Sequence, residues 1–183
     1  MLHTILPTQM QAAEQTAFAA GLSPLLTMET AARAAFDVLL DLLGCDCRGK
    51  NVLFLCGPGN NGGDGLVMAR LLLQARGFAR IILLDTPKTA EAQINLRHLQ
   101  AMGADIEAVP DELLEDEYDA VVDALFGTGF TGSIAADSPA GRLLTWANTC
   151  GPMLSIDVPS GMDAATGAVE GVCARAIWTV TFH

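Results

Sequence analysis

Residues 51–72 read Asn51-Val-Leu-Phe-Leu-Cys56, then Gly57-Pro-Gly-Asn-Asn-Gly-Gly-Asp-Gly65, then Leu66-Val-Met-Ala-Arg-Leu-Leu72. A short apolar run enters a glycine-rich stretch and leaves it at helical spacing. That is a strand, a polar loop at its carboxyl end, and a helix over 66–75 closed by Arg76-Gly77. Gly57-x-Gly59-x-x-Gly62 also spells the turn by which a strand delivers bare backbone to a pyrophosphate, and Asp85 ends the next strand where a ribose-binding acid would stand. Turn-making alone would need one or two such residues. In that bland reading Asp64 caps a helix that begins near Gly65.

The same alternation continues on both sides. Two helices are expected first: one from Thr8 to Ala20 ended by Gly21, one opened by Ser23-Pro24 and ended by Gly44. Strands follow at 80–84, 105–109, 118–124, 152–156 and 176–182, with helices over 89–102 and 140–149. Apolar strands alternating with helices make a parallel sheet covered on both faces. Polar loops follow Cys56, Val122 and Ile156, and in such a sheet all three open on one edge, where ligands bind.

Composition narrows the function classes. The 183 residues are 51% hydrophobic, suit one domain with a real core, and contain no run long enough to span a membrane. The N-terminus lacks the charged and apolar regions of a secretory signal, so a cytoplasmic setting is expected. A formal net charge of -11 disfavours nucleic acid and anionic lipid as partners. Backbone N–H groups can still hold a small phosphorylated ligand. Cys45, Cys47, Cys56, Cys150 and Cys173 fit no zinc spacing and read as reduced thiols.

Two further segments carry chemistry. Asp123 ends an apolar strand, where a charge is costly unless paired or bound to a cation, and Gly127, Gly129 and Gly132 follow it with Thr128 and Thr131. Asp157 ends another strand, followed by Pro159, Ser160 and Gly161. Oxygen donors without histidine favour a hard cation. Asp157 or Asp123, partly buried among other acids, is suited to acid/base work through a raised pKa. His3, His98 and His183 are expected to be incidental. A nicotinamide dehydrogenase is disfavoured, since the only tyrosine, Tyr118, has Val122 where a catalytic lysine would stand. A serine hydrolase is disfavoured because Ser160 lacks the nucleophile elbow.

These segments resemble one family. GPGNNGGDG at 57–65, VDALFGTGFTG at 122–132 and SIDVPSGMDAATG at 155–167 are similar, in order and spacing, to the signature segments of the NAD(P)HX epimerases, the YjeF N-terminal domain family. Met28-Glu29-Thr30-Ala31-Ala32 resembles a further segment, with Ala32 where the family often has glycine.

The resemblance implies a three-layer αβα Rossmann-like sandwich with a mostly parallel sheet, preceded by two helices, and usually a homodimer. Residues 1–183 would form a single epimerase domain cut short at its C-terminal end. The substrate would be NADHX or NADPHX, hydrated at carbon 6 of the nicotinamide ring, and the enzyme would interconvert its R and S epimers. An ADP- or ATP-dependent dehydratase, fused or separate, would remove water from the S form. K⁺ ligands map to Asn61, Asp123 and Ser160. Substrate contacts map to Asn60, Asn61, Gly62, Gly63 and Asp64, to Gly127, Thr128, Gly129, Phe130, Thr131, Gly132 and Ser133, and to Asp157, which also takes the catalytic role. A non-catalytic nucleotide- or protein-binding module of the same fold is the competing expectation.

Overall fold

The computed structural model describes residues 7–113 and 116–182; His3 and His183 lie outside them. The chain runs α1 (Pro7–Ala19), α2 (Pro24–Leu42), β1 (Asn51–Cys56), α3 (Asn60–Gln74), β2 (Phe78–Leu83), α4 (Ala90–Ala101), β3 (Asp105–Ala108), β4 (Ala120–Ala124), α5 (Pro139–Ala147), β5 (Met153–Ile156) and β6 (Trp178–Val180). The six strands pair in parallel in the order β3-β2-β1-β4-β5-β6. The order reverses between β1 and β4. At such a switch point the loops leaving the two strands diverge and open a crevice.

Strands β1, β2, β4 and β5 feed two cores because their side chains alternate. Val52, Phe54 and Cys56 of β1, with Ala120, Val122 and Ala124 of β4, face a core closed by α2, α3 and α4. Leu53, Leu55 and Val121 face the other way, against Leu143, Leu144 and Ala147 of α5. The sheet is thus flanked by helices on both faces, as the strand–helix alternation predicts.

The helix ends follow local chemistry. Ser23 and Thr89 cap α2 and α4 by accepting the N–H groups of Leu26 and Ala92, and Ser138 accepts that of Gly141 at the start of α5. Gly21, Gly44 and Gly103 follow α1, α2 and α4 at positive φ.

The expected elements are present, with one difference that matters. The helix expected over 66–75 begins at Asn60, so Asn60–Gly65 is its first turn and a half rather than a loop. Asp64 is therefore inside the helix and does not cap it. The propensity of Asn-Asn-Gly-Gly argues against a helix, and packing overrides it. A methyl group on Gly62 would collide with the backbone of Gly57. One on Gly65 would lie 2.7 Å from Ala124 Cβ and 3.0 Å from Cys56 Sγ. The glycines let α3 press against the ends of β1 and β4.

Candidate functional site

Three segments meet at the switch point: the start of α3, the loop after β4 and the loop after β5. They enclose a cavity of about 820 Å³, within the range of small-molecule sites. Of the residues expected to contact a ligand, Asn60, Asn61, Asp64, Gly127, Thr128, Gly129, Phe130, Thr131 and Asp157 line it. Gly62 and Gly63 lie behind it in helix packing, where Gly63 faces the Met28 side chain. Gly132 and Ser133 lie beyond the lining residues, with Gly132 at φ +99 where the loop turns back.

The start of α3 is shaped for an anion. Gly59 is extended and brings no capping side chain. The first intrahelical bond runs from Gly63 N to Gly59 O at 3.2 Å. The N–H groups ahead of it have no intrahelical acceptor and carry the positive end of the helix dipole.

Asp123 is wholly buried on the α5 side of β4. Register places Ser155 of β5 beside it, and the Ser155 hydroxyl donates to Oδ2 at 2.7 Å. Ser160 donates its N–H to Oδ2 at 2.9 Å and its hydroxyl to Oδ1 at 2.6 Å, and Leu125 N–H reaches Oδ1 at 3.3 Å. Burial pushes this carboxyl above the ordinary range, and the four hydrogen bonds pull against that rise. Ser160 Oγ also accepts Phe126 N–H at 2.9 Å, so Asp123 holds the loops after β4 and β5 together.

Asn61 is the second residue of α3. Both polar atoms of its side chain are buried and have no hydrogen-bond partner. A buried amide in that state is costly unless something else satisfies it. A methyl group on Gly127 would meet both the Asp157 carboxylate and Asn61 Cγ, so Asn61, Gly127 and Asp157 converge.

Asp157 has φ +69, a left-handed conformation uncommon for a residue with a side chain. Its N–H donates to Val180 O at 2.7 Å, and its Oδ2 accepts Thr128 N–H at 2.6 Å. The strained turn swings the carboxylate into the cavity and ties it to the glycine loop. Asp163, by contrast, builds a turn of its own, accepting the N–H groups of Ala165 and Thr166.

Asp85, the residue with the spacing of a ribose-binding acid, is exposed, pairs with Lys88 at 2.9 Å and is not among the cavity residues. Sequence reading missed Met10 and Glu14 of α1, and Thr181 and Phe182 after β6, all of which line the cavity. No motif marks them. Leu125 and Phe126, just after β4 and within the 122–132 segment, also line it, although no role is expected of them from sequence.

Residues 26–183 match the family described as YjeF-related protein N-terminus. The chain is 37% identical over 188 residues to the bifunctional NAD(P)H-hydrate repair enzyme Nnr of Methanothermobacter thermautotrophicus, covering 97% of this chain and 35% of that one. It is 36% identical over 162 residues to the NAD(P)H-hydrate epimerase of Nitrosopumilus maritimus, covering 85% of this chain and 74% of that protein. The chain spans about a third of the length of the bifunctional relatives. The crystal structure of the yeast protein ynu0 superposes with a TM-score of 0.78 at 20% identity, covering 97% of this chain and 79% of that one, which is a likeness of fold. With the family match covering all six strands and every segment that lines the cavity except α1, the chain belongs to the YjeF-related N-terminus family.

Proposed function

We propose that this chain epimerises hydrated nicotinamide cofactor, interconverting the R and S forms of NADHX or NADPHX. The observation that carries the proposal is Asp157, a carboxylate held in a strained turn that lines a cavity of about 820 Å³. The relatives named NAD(P)H-hydrate epimerase support it. The open N–H groups of α3 hold the substrate phosphates by backbone alone. Asp157 does acid/base work at the hydrated ring carbon. Protonation of the hydroxyl there releases water and leaves a ring cation stabilised by the adjacent nitrogen, and water returning to the other face gives the other epimer.

The donor set around Asn61 suits potassium. The Asn61 amide oxygen lacks a partner, Asp123 supplies charge, and the Ser160 hydroxyl bonds to both Asp123 and Phe126 N. All are hard oxygen donors. Bound there, K⁺ would supply fixed positive charge that offsets buried Asp123 and locks the three loops. The protein would act as a homodimer, beside a fused or separate dehydratase that consumes the S epimer.

The test follows purified R epimer by chromatography, in potassium and in potassium-free buffer. We expect conversion to the S epimer well above the spontaneous rate. Asp157→Asn should cut it about 100-fold or more, the low end of acid/base contributions. A variant within a few fold of the parent would remove Asp157 from the chemistry.

A further inference from the structure

The cavity has a side chamber of about 120 Å³ whose walls include Phe18, Met28, Glu91 and Phe182. Asp64 and Glu14 line both spaces, with Asp64 on α3 and only 9% exposed. The charged groups facing it are all acids: Glu14 from α1, Glu91 from α4 and Asp157 from the loop after β5. The residues of α2 that line the chamber, among them Met28 and Ala31, carry no charge. Among the described residues no lysine, arginine or histidine lines either space. One turn earlier on the same helix, the Asn61 amide is buried without a partner, so this face of α3 leaves polar groups for something other than protein.

We infer that Asp64 is a second catalytic carboxylate, the proton donor that works with Asp157 in one cavity. The inference rests on the epimerase reading above. A buried carboxyl among three other acids, with no basic side chain lining either space, is held in its neutral form. Desolvation first, then the charges of Asp157 and Glu14, push Asp64 well above the ordinary carboxylate range. Such a group still carries its proton when most carboxyls have lost theirs, as a general acid requires.

The proton account closes. Neutral Asp64 gives its proton to the hydroxyl on the ring carbon, the carbon–oxygen bond breaks with its electron pair leaving on oxygen, and water departs. Asp64 is then a carboxylate facing the ring cation. A water adds to the other face of the same carbon and loses a proton to Asp157. The substrate is unchanged in oxidation state, and one proton has passed from Asp64 to Asp157. Turnover in the opposite direction, or exchange with solvent, restores the starting state.

The experiment combines kinetics with a direct view of the carboxyl. Rates of R-to-S conversion are measured against pH for the parent, Asp64→Asn and Asp64→Ser. Side-chain carboxyl resonances of ¹³C-aspartate-labelled parent protein are titrated, with Asp64 assigned by its absence from either variant. We expect kcat of Asp64→Asn to fall about 100-fold with KM within about 3-fold. The parent's kcat should decline as pH rises through the Asp64 titration, and the variants should lack that decline. The Asp64 resonance should titrate well above the ordinary carboxylate range. A variant with kcat near the parent's overturns the donor role, as does an Asp64 resonance titrating in the ordinary range, which is read on parent protein even if one variant folds poorly. A folded parent that does not epimerise overturns the functional reading and the donor role with it. An active parent with an equally active Asp64 variant overturns the donor role alone.

Discussion

Asp123 and Asp64 are both buried carboxylates, and they are buried for different ends. Asp123 gathers four hydrogen bonds from Ser155, Ser160 and Leu125, so its burial is compensated and it acts as a clasp between loops. Asp64 sits among like charges, and its burial costs stability that only function repays. The sign of that cost can be tested. A folded pKa above the unfolded value, about 3.9 for aspartate, means that the folded chain holds the proton longer. Stability from this group is fully present below the unfolded pKa and is lost as pH rises towards the raised folded one. Asp64→Asn should therefore be more stable than the parent by about 0.5–2 kcal/mol near neutral pH. In urea unfolding the gap should widen from pH 5 to pH 8, and a gap independent of pH would mean that Asp64 is not the titrating group. The two residues also differ in how far sequence reveals them. A lone charge ending an apolar strand announces Asp123. Asp64 stands in the sequence as a substrate contact by resemblance, or in the bland reading as a cap, and its burial stays hidden because it depends on where the helix starts.

That start is the main matter of element scale. Six strands and their helices are legible because each is written locally, in short apolar runs, in the Ser-Pro start of α2 and in glycine stops. The start of α3 is not, because Asn-Asn-Gly-Gly is helical only through contact with Gly57, Ala124 and Cys56, residues brought close by the sheet. The consequence is an uncapped helix terminus aimed at the cavity. Gly59 has φ −94 and nothing within 4 Å of where a Cβ would sit, so a side chain fits there. Gly59→Asp would supply the missing cap and add a negative charge at the positive end of the dipole. It should stabilise the fold by about 0.5–1 kcal/mol. The same carboxylate would occupy the N–H groups meant for phosphate, so KM should rise about 10-fold or more, the equivalent of losing ~1.4 kcal/mol of binding. Thermal unfolding and steady-state kinetics on one preparation read both effects. Gain of stability without loss of affinity would place the phosphates elsewhere.

At the scale of the molecule, the strand order decides where chemistry happens, because the reversal between β1 and β4 leaves a crevice and the three polar loops fill its rim. Loops at strand ends are foreseeable from alternation alone. The cover over the crevice is not. Among its described side chains α1 fully buries none, and it packs little against the other elements. Met10 and Glu14 nevertheless line the cavity, and Glu14 faces Asp64. A helix that contributes so little to either core, yet closes a cavity wall, is a cover rather than a structural layer. Deleting the residues before Gly21 should therefore leave cooperative unfolding intact, with Tm lowered by no more than about 4 °C, roughly 1 kcal/mol in a domain of this size. The open cavity should bind substrate about 10-fold more weakly. Removing Glu14 also removes one of the like charges that hold Asp64 neutral. The decline of kcat with rising pH should then shift to lower pH, as a lost anionic neighbour requires. A collapse of Tm would instead assign α1 to the core, and an unshifted pH profile would take Glu14 out of the electrostatics of the site.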